Sequence, residues 1–187
     1  MTTVKLQGGL GNQLFQYAFG RALVERGNEV VFDKSFFTTN TKYTNRPFSL
    51  EAFKLDPKVK IENSAQTLSI FKKIFYRLDS DRRVRYVKSL LINPSEYMEG
   101  YYNSEKYFSN IREQLLSELV LKEKSPAYIE MERLISSTPN SLVVHARRTD
   151  YLSSTGFTIL DDGYYKRALE NFPEDVKIFA FSDDPDW

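Results

Sequence analysis

The segment His145-Ala146-Arg147-Arg148-Thr149-Asp150 directly follows the apolar run Leu142-Val143-Val144. It gathers the chain's one histidine, two adjacent arginines and an aspartate at the predicted C-terminal end of a buried strand. Ligands of open α/β sheets bind in the crevice at that end. Two guanidiniums offer permanently charged, planar donor forks that suit phosphate oxygens. The plain alternative is a solvated strand end with an internal Arg–Asp pair. Strand alternation would place 145, 147 and 149 on one side and 146, 148 and 150 on the other. Arg147 and Arg148 are therefore expected to have different tasks, one on phosphate and one partly structural, with Asp150 as orienting partner.

Two further constellations share this address. Gly8-Gly9-Leu10-Gly11-Asn12-Gln13 follows the predicted strand Val4-Lys5-Leu6, and Ser182-Asp183-Asp184 follows Ile178-Phe179-Ala180-Phe181. A glycine turn opening a helix lets backbone N–H groups approach an anion or polar substrate; a tight structural turn explains the same residues. A dinucleotide site is disfavoured. Asp33 does close the next strand about 20 residues on, but Leu14 stands where that fingerprint wants glycine or alanine. Asp183, Asp184 and Asp186 could hold a divalent cation on a diphosphate. The simpler reading is a polar loop whose carboxylates accept ribose, base or backbone donors. Asp161-Asp162 reads as a helix N-terminal pair favoured by the helix dipole. Nothing resembles the nucleophile elbow of a Ser-His-Asp hydrolase.

The elements that position these residues follow from periodicity. Leu14, Phe15, Ala18, Phe19, Ala22 and Leu23 recur at helical spacing, which predicts a helix from Asn12, its N-cap, to a stop at Gly27. Residues 29–33 read as a second buried strand, parallel to the first. Residues 35–62 read as loop and short elements. Residues 66–92 read as a basic helical stretch; a solvated face over a core face is the plain reading, a membrane-surface or polyanion patch the alternative. Residues 104–119 predict one helix with the stripe Phe108, Ile111, Leu115, Leu119. Ser125-Pro126 starts another helix, and residues 136–140 are the most linker-like stretch. A strand at 142–144, a helix at 163–169 and a strand at 176–181 follow.

Composition narrows the function classes. The 187 residues suffice for one domain or two small ones. Lysine and arginine total 26 against 25 acidic residues, so no global field attracts nucleic acid. There is no cysteine, which excludes disulfides, thiolate metal sites and cysteine nucleophiles. One histidine excludes a His-rich metal cage. No apolar run approaches the roughly 20 residues of a membrane span, and Met1-Thr2-Thr3-Val4-Lys5 does not read as a signal peptide. The expected location is the cytoplasm, with peripheral contact at the inner membrane as the alternative for residues 66–92.

The motifs, taken in order, resemble those of the family 11 α-1,2-fucosyltransferases. The resemblance rests on Gly8-Gly9-Leu10-Gly11-Asn12-Gln13-Leu14-Phe15-Gln16-Tyr17-Ala18 and Glu99-Gly100-Tyr101-Tyr102-Asn103-Ser104-Glu105-Lys106-Tyr107-Phe108. His145-Ala146-Arg147-Arg148-Thr149-Asp150-Tyr151 and Phe181-Ser182-Asp183-Asp184 complete it. It implies an α/β fold of the GT-B kind: a Rossmann-type acceptor-side domain over 1–138 and the start of a Rossmann-like GDP-fucose domain over 139–187. It implies inverting, metal-independent transfer from GDP-fucose to the 2-hydroxyl of a terminal β-galactoside, with no cofactor. Arg147 and Arg148 would hold the donor diphosphate. Gly9, Gly11, Asn12 and Gln13 would border the reacting centre, and Ser182, Asp183 and Asp184 would face the nucleoside. His145 would serve as general base or orient the arginines, the second role being favoured.

The chain departs from the family pattern at Thr149, where glycine is usual, and at Ala146, where valine or isoleucine is usual. It stops at Trp187, just after the second strand of the donor domain, so a truncated second domain with exposed sheet edges is expected. A non-catalytic nucleotide- or glycan-binding remnant and a transferase using another sugar nucleotide are the alternatives.

Overall fold

A computed structural model describes residues 1–39, 46–63, 86–152 and 158–186. The chain divides into two compact units, Met1–Glu123 and Lys124–Trp187. Most of the basic stretch 66–92 lies outside the described residues, which take it up again at Tyr86.

The first unit is built on β1 (Thr2–Lys5), α1 (Leu10–Val24) and β2 (Val30–Asp33), the strand–helix–strand unit expected from the sequence. After the helical turn α2 (Phe36–Thr39), β3 (Lys60–Glu62) pairs with β2. The helical turn α3 (Ser89–Ile92) precedes β4 (Tyr97–Met98), which pairs with β1. All pairings are parallel, and the order β3-β2-β1-β4 is that of a Rossmann half-sheet. In register, Thr2 to Lys5 of β1 lie beside Val30 to Asp33 of β2.

Core packing explains α1. Tyr17, Phe19, Ala22 and Leu23 are fully buried beside Val4, Leu6 and Phe32. A Cβ on Gly20 would lie 2.3 Å from Phe32 Cζ, so a helix-weakening glycine is the residue that lets α1 settle on β2. The helix ends in a Schellman pair, with Gly27 N–H on the Val24 carbonyl at 2.9 Å and Asn28 N–H on that of Leu23 at 3.1 Å. The Phe19 and Tyr102 rings stack at 3.9 Å between centroids, and Tyr107 meets Phe19 edge-on at 5.2 Å.

The single helix expected over 104–119 is broken. Two 3-10 turns, Glu105–Tyr107 and Ser109–Ile111, precede α4 (Arg112–Glu118). Phe108 (φ −136°, ψ 14°) and Ile111 (φ −122°, ψ 25°) leave helical geometry. The tighter turns aim Tyr107 at Phe19 while Ile111 and Leu115 still reach the core, so the apolar stripe survives without the continuous helix.

The second unit holds α5 (Pro126–Ser137), β5 (Ser141–Ala146), α6 (Thr149–Leu152), α7 (Asp162–Leu169) and β6 (Lys177–Ser182). β5 and β6 pair in parallel from Ser141↔Lys177 to Ala146↔Ser182. Ser125 caps α5 by accepting the Tyr128 N–H at 3.2 Å, and Asp161 caps α7 by accepting the Tyr164 N–H at 2.8 Å. Residues 136–140, the linker-like stretch, fall inside this unit as the end of α5 and the link to β5; the Lys124–Glu132 ion pair at 2.7 Å ties the chain from Lys124 onward to α5. β5 is not the buried strand its apolar run suggests: Val143 is 53% exposed and, within β5, only Ala146 is buried. Among the described residues each strand of this sheet has a single neighbour, and α5 and α7 bury no residue of their own.

Candidate functional site

The glycine motif lies at the C-terminal end of β1. Gly8 has φ +80°, which demands glycine, and a Cβ there would sit 2.6 Å from Asn12 Nδ2 and push that amide aside. Gly9, not Asn12, is the N-cap of α1. Its extended backbone (ψ 172°) starts the helix earlier than expected, and Gln13 N–H makes a first helical bond to its carbonyl at 3.1 Å. Asn12 therefore sits in the first turn over Gly8. Among the described residues no side chain caps α1 and no acid lies in its first turn, and Leu10 and Gly11, which open the helix, are exposed. Cβ atoms on Gly9 or Gly11 would meet nothing within 4 Å, so local packing does not require either glycine.

Gln13 is placed differently from its sequence-based role. It is fully buried: Nε2 donates to the Gly8 and Pro47 carbonyls at 3.0 Å each, and Oε1 accepts the Ser49 N–H at 2.9 Å. It holds the 47–49 loop onto the glycine turn. Gln16, also fully buried, does the same on the other side, accepting the Gln7 N–H at 2.9 Å and donating to the Gly100 carbonyl at 3.0 Å. Both amides form a scaffold for the turn. Asp33, the residue a dinucleotide site would use, is buried and accepts the Ser35 N–H at 2.9 Å and its hydroxyl at 3.0 Å. A cavity of about 450 Å³ opens beside Gly11, lined by Leu14, Phe15, Phe108, Arg112 and Leu116 among others. That is within the range of small-molecule sites, roughly 300–1,000 Å³.

The arginine motif lies at the C-terminal ends of β5 and β6. Alternation stops at Ala146, because Arg147 and Arg148 leave the strand and Thr149 starts α6, so the expected two-sided display of 145–150 ends there. The two arginines still differ. Arg147 is exposed, its guanidinium 4.9 Å from the Tyr151 ring centroid. Arg148 is half-buried and donates through Nε to Asp184 Oδ2 at 3.1 Å. Asp183 accepts the Arg148 N–H at 2.8 Å and the Thr149 hydroxyl at 2.6 Å. The Thr149 hydroxyl first, and the Arg148 amide second, hold the Asp183 carboxyl below the usual carboxylate range. Ser182 closes the β6 end, its hydroxyl bonded to the Asp184 amide at 2.9 Å and carbonyl at 3.0 Å. Asp183 and Asp184, expected to face a nucleoside, thus take protein groups as partners. His145 is exposed on β5 beside Phe181; Asp150 is in α6, and its side chain lies outside the described residues.

Sequence reasoning missed a buried ionic cluster. Arg21 and Glu118 are both buried, joined through Nε at 3.0 Å and Nη2 at 2.8 Å, while Asp56 and Glu25 each lie 3.1 Å from Nη2. The Tyr17 hydroxyl donates to Glu118 and accepts the Asp56 N–H at 3.2 Å. Burial, reinforced by Glu118, pushes the Tyr17 hydroxyl's pKa up, and the Glu118 hydrogen bonds push that of Arg21 up. The signal was present: an arginine inside the run Phe19-Gly20-Arg21-Ala22-Leu23 cannot be buried without an acid. Among the described residues no cluster of three or more His, Asp or Glu is placed to hold a metal ion, and no helix is long and apolar enough to cross a membrane.

Parallel α/β units with a glycine turn and an arginine loop at strand ends place the chain in the open-sheet α/β class, whose ligands bind at the carboxyl ends of the strands. The comparison with known sequences makes the assignment particular: the model of "Glycosyl transferase family 11" matches residues 1–187, and the chain belongs to that family of glycosyltransferases. It is 27% identical over 210 residues to the alpha-1,2-colitosyltransferase of Escherichia coli, covering 100% of this chain and 70% of that protein. It is 26% identical to the galactoside 2-alpha-L-fucosyltransferase Sec1 of Mus musculus, covering 100% of this chain and 50% of that one. Among solved structures it is similar to fucosyltransferase NodZ from Bradyrhizobium, with a TM-score of 0.47 and 16% identity over 97% of this chain and 71% of that one.

Proposed function

We propose that the chain carries the machinery of an inverting, metal-independent transfer of fucose from GDP-fucose to the 2-hydroxyl of a terminal β-galactoside. The observation that carries this reading is the arginine loop: an exposed Arg147 over Tyr151, beside an Arg148 held by Asp184, at a strand's C-terminal end. In the reaction the bond from the fucosyl anomeric carbon to the β-phosphate oxygen breaks and GDP departs. The galactose 2-oxygen attacks the opposite face and loses its proton. Negative charge grows on the diphosphate as the sugar becomes oxocarbenium-like, and a fixed cation stabilises that transition state. Arg147 is assigned to the diphosphate, and Arg148, with its Nε–H bonded to Asp184, to the loop and the diphosphate together. Departure of a good leaving group demands little of the base, so His145 is assigned to the arginine loop rather than to proton transfer. At the other motif, the uncapped α1 N-terminus, the bare Gly9 and Gly11 and the Asn12 amide suit close approach of substrate hydroxyls or phosphate oxygens.

The test is calorimetric titration with GDP, GDP-fucose and UDP, with and without EDTA, followed by transfer to a β-galactoside. Binding of GDP over UDP, unaffected by EDTA, is expected; preference for UDP or dependence on metal overturns the reading. One relative is named for colitosyl transfer, so GDP-linked colitose is the second donor to assay. Arg147→Ala removes a charge-assisted contact of about 1.5–3 kcal/mol, roughly a ten- to hundredfold loss of GDP affinity. An unchanged affinity would remove Arg147 from the site.

A further inference from the structure

The arginine loop has no strand geometry to hold it, since β5 ends at Ala146 and the chain turns into α6 at Thr149. What fixes it is carried by the end of the neighbouring strand. One carboxylate, Asp183, takes the Arg148 backbone N–H on Oδ1 at 2.8 Å and the Thr149 hydroxyl on Oδ2 at 2.6 Å, with the Thr149 N–H at 3.5 Å from Oδ1. The next residue, Asp184, takes Arg148 Nε, and its own backbone is locked by the Ser182 hydroxyl. The register that sets Ala146 beside Ser182 brings these residues together. Both oxygens of Asp183 are thus committed to two consecutive residues of the loop, and the Arg148 side chain is anchored at its inner nitrogen.

We propose that Thr149 and Asp183 form a clasp that positions Arg147 and Arg148 for the terminal phosphate of a nucleoside diphosphate, acting through the arginines and not on the ligand. This rests on the reading of the loop as the diphosphate anchor. A clasp of this kind lowers the entropy lost when the guanidiniums close on phosphate, since the loop is ordered beforehand. Its removal therefore weakens contacts to the second phosphate and spares those to the nucleoside and first phosphate.

The experiment titrates GDP and GMP into the full 187-residue chain and into T149V, T149S and D183N. T149V keeps the side-chain shape and loses the hydroxyl, so GDP affinity is expected to fall about fivefold to twentyfold, the range of one hydrogen bond near 1–1.7 kcal/mol. GMP affinity should change by less than twofold. T149S restores the hydroxyl and should recover GDP binding; D183N loses the charge and should behave like T149V. Equal losses for GDP and GMP, or an unchanged GDP affinity in T149V, overturn the clasp. A parent chain that binds no GDP overturns the reading beneath it instead. Far-UV circular dichroism confirms the fold of each variant, and Thr149 is exposed, so its replacement leaves the packing intact.

Discussion

Gln13 separates two accounts of the glycine motif. If its amide served a ligand, Gln13→Ala would leave the fold intact and remove binding. The geometry gives the opposite expectation. The side chain is fully buried and makes three hydrogen bonds, to the Gly8 and Pro47 carbonyls and from the Ser49 N–H. At about 1 kcal/mol net each they contribute about 3 kcal/mol. The Pro47 residue is exposed, so its carbonyl regains water in the variant and the loss settles at about 2–3 kcal/mol. For a unit of this size that lowers Tm by roughly 8–12 °C. Urea and thermal unfolding followed by far-UV circular dichroism measure it, and an unchanged m-value shows that stability, not compactness, has changed. Gln13→Glu sharpens the comparison, because it keeps the shape and sets a carboxylate against two carbonyl oxygens. Burial and those oxygens raise that carboxyl's folded-state pKa, so the variant loses stability as pH rises above the ordinary carboxylate value. A Gln13→Ala loss below about 0.5 kcal/mol, the range of ordinary surface substitutions, together with abolished ligand binding, would refute the scaffold account.

Glu118→Leu strands the Arg21 guanidinium with only Asp56 and Glu25, each more exposed than Glu118, and is expected to cost about 3–5 kcal/mol. Adding Arg21→Met should restore most of that stability in denaturant unfolding, since a buried pair replaced by apolar residues is often neutral. Asp183 has a lowered folded-state pKa, so what its clasp contributes is fully present above the ordinary carboxylate pKa and is lost as pH falls through the depressed value. Carboxyl chemical shifts of Asp183 followed by NMR should titrate below the ordinary aspartate range, and the Thr149 amide shift should move with them.

The strand–helix–strand opening was legible because two strong signals lie after the glycine turn: six apolar residues at helical spacing in α1, and three consecutive apolar, strand-forming residues, Val30-Val31-Phe32, in β2. β3 and β4 were not. Lys60-Ile61-Glu62 and Tyr97-Met98 are too short to show a period, and they are strands because β1 and β2 offer them open edges. The 104–119 helix was overread, since successive 3-10 turns can place Phe108, Ile111 and Leu115 inward as well as an α-helix does. The Arg21–Glu118 pair spans 97 positions, which no local pattern reports.

The candidate site shows the same division between residue type and residue partner. Arg147, Arg148 and residues 182–184 were each recognisable by chemistry, and strand ends gave them one address. What periodicity could not supply was register. Only the pairing of Ala146 with Ser182 puts Asp183 under Arg148 and Thr149 and turns two motifs into one. The consequence runs from sequence to function: a one-residue slip of β6 would place Ser182 or Asp184 where Asp183 stands. It would also reverse every side chain on the strand. The apolar residues of β6 do little to resist that slip, since Ile178 is 48% and Phe181 39% exposed. The Asp183 and Asp184 contacts to the arginine loop therefore do more than order the arginines. They supply register at the C-terminal end of a sheet that burial holds weakly along most of its length.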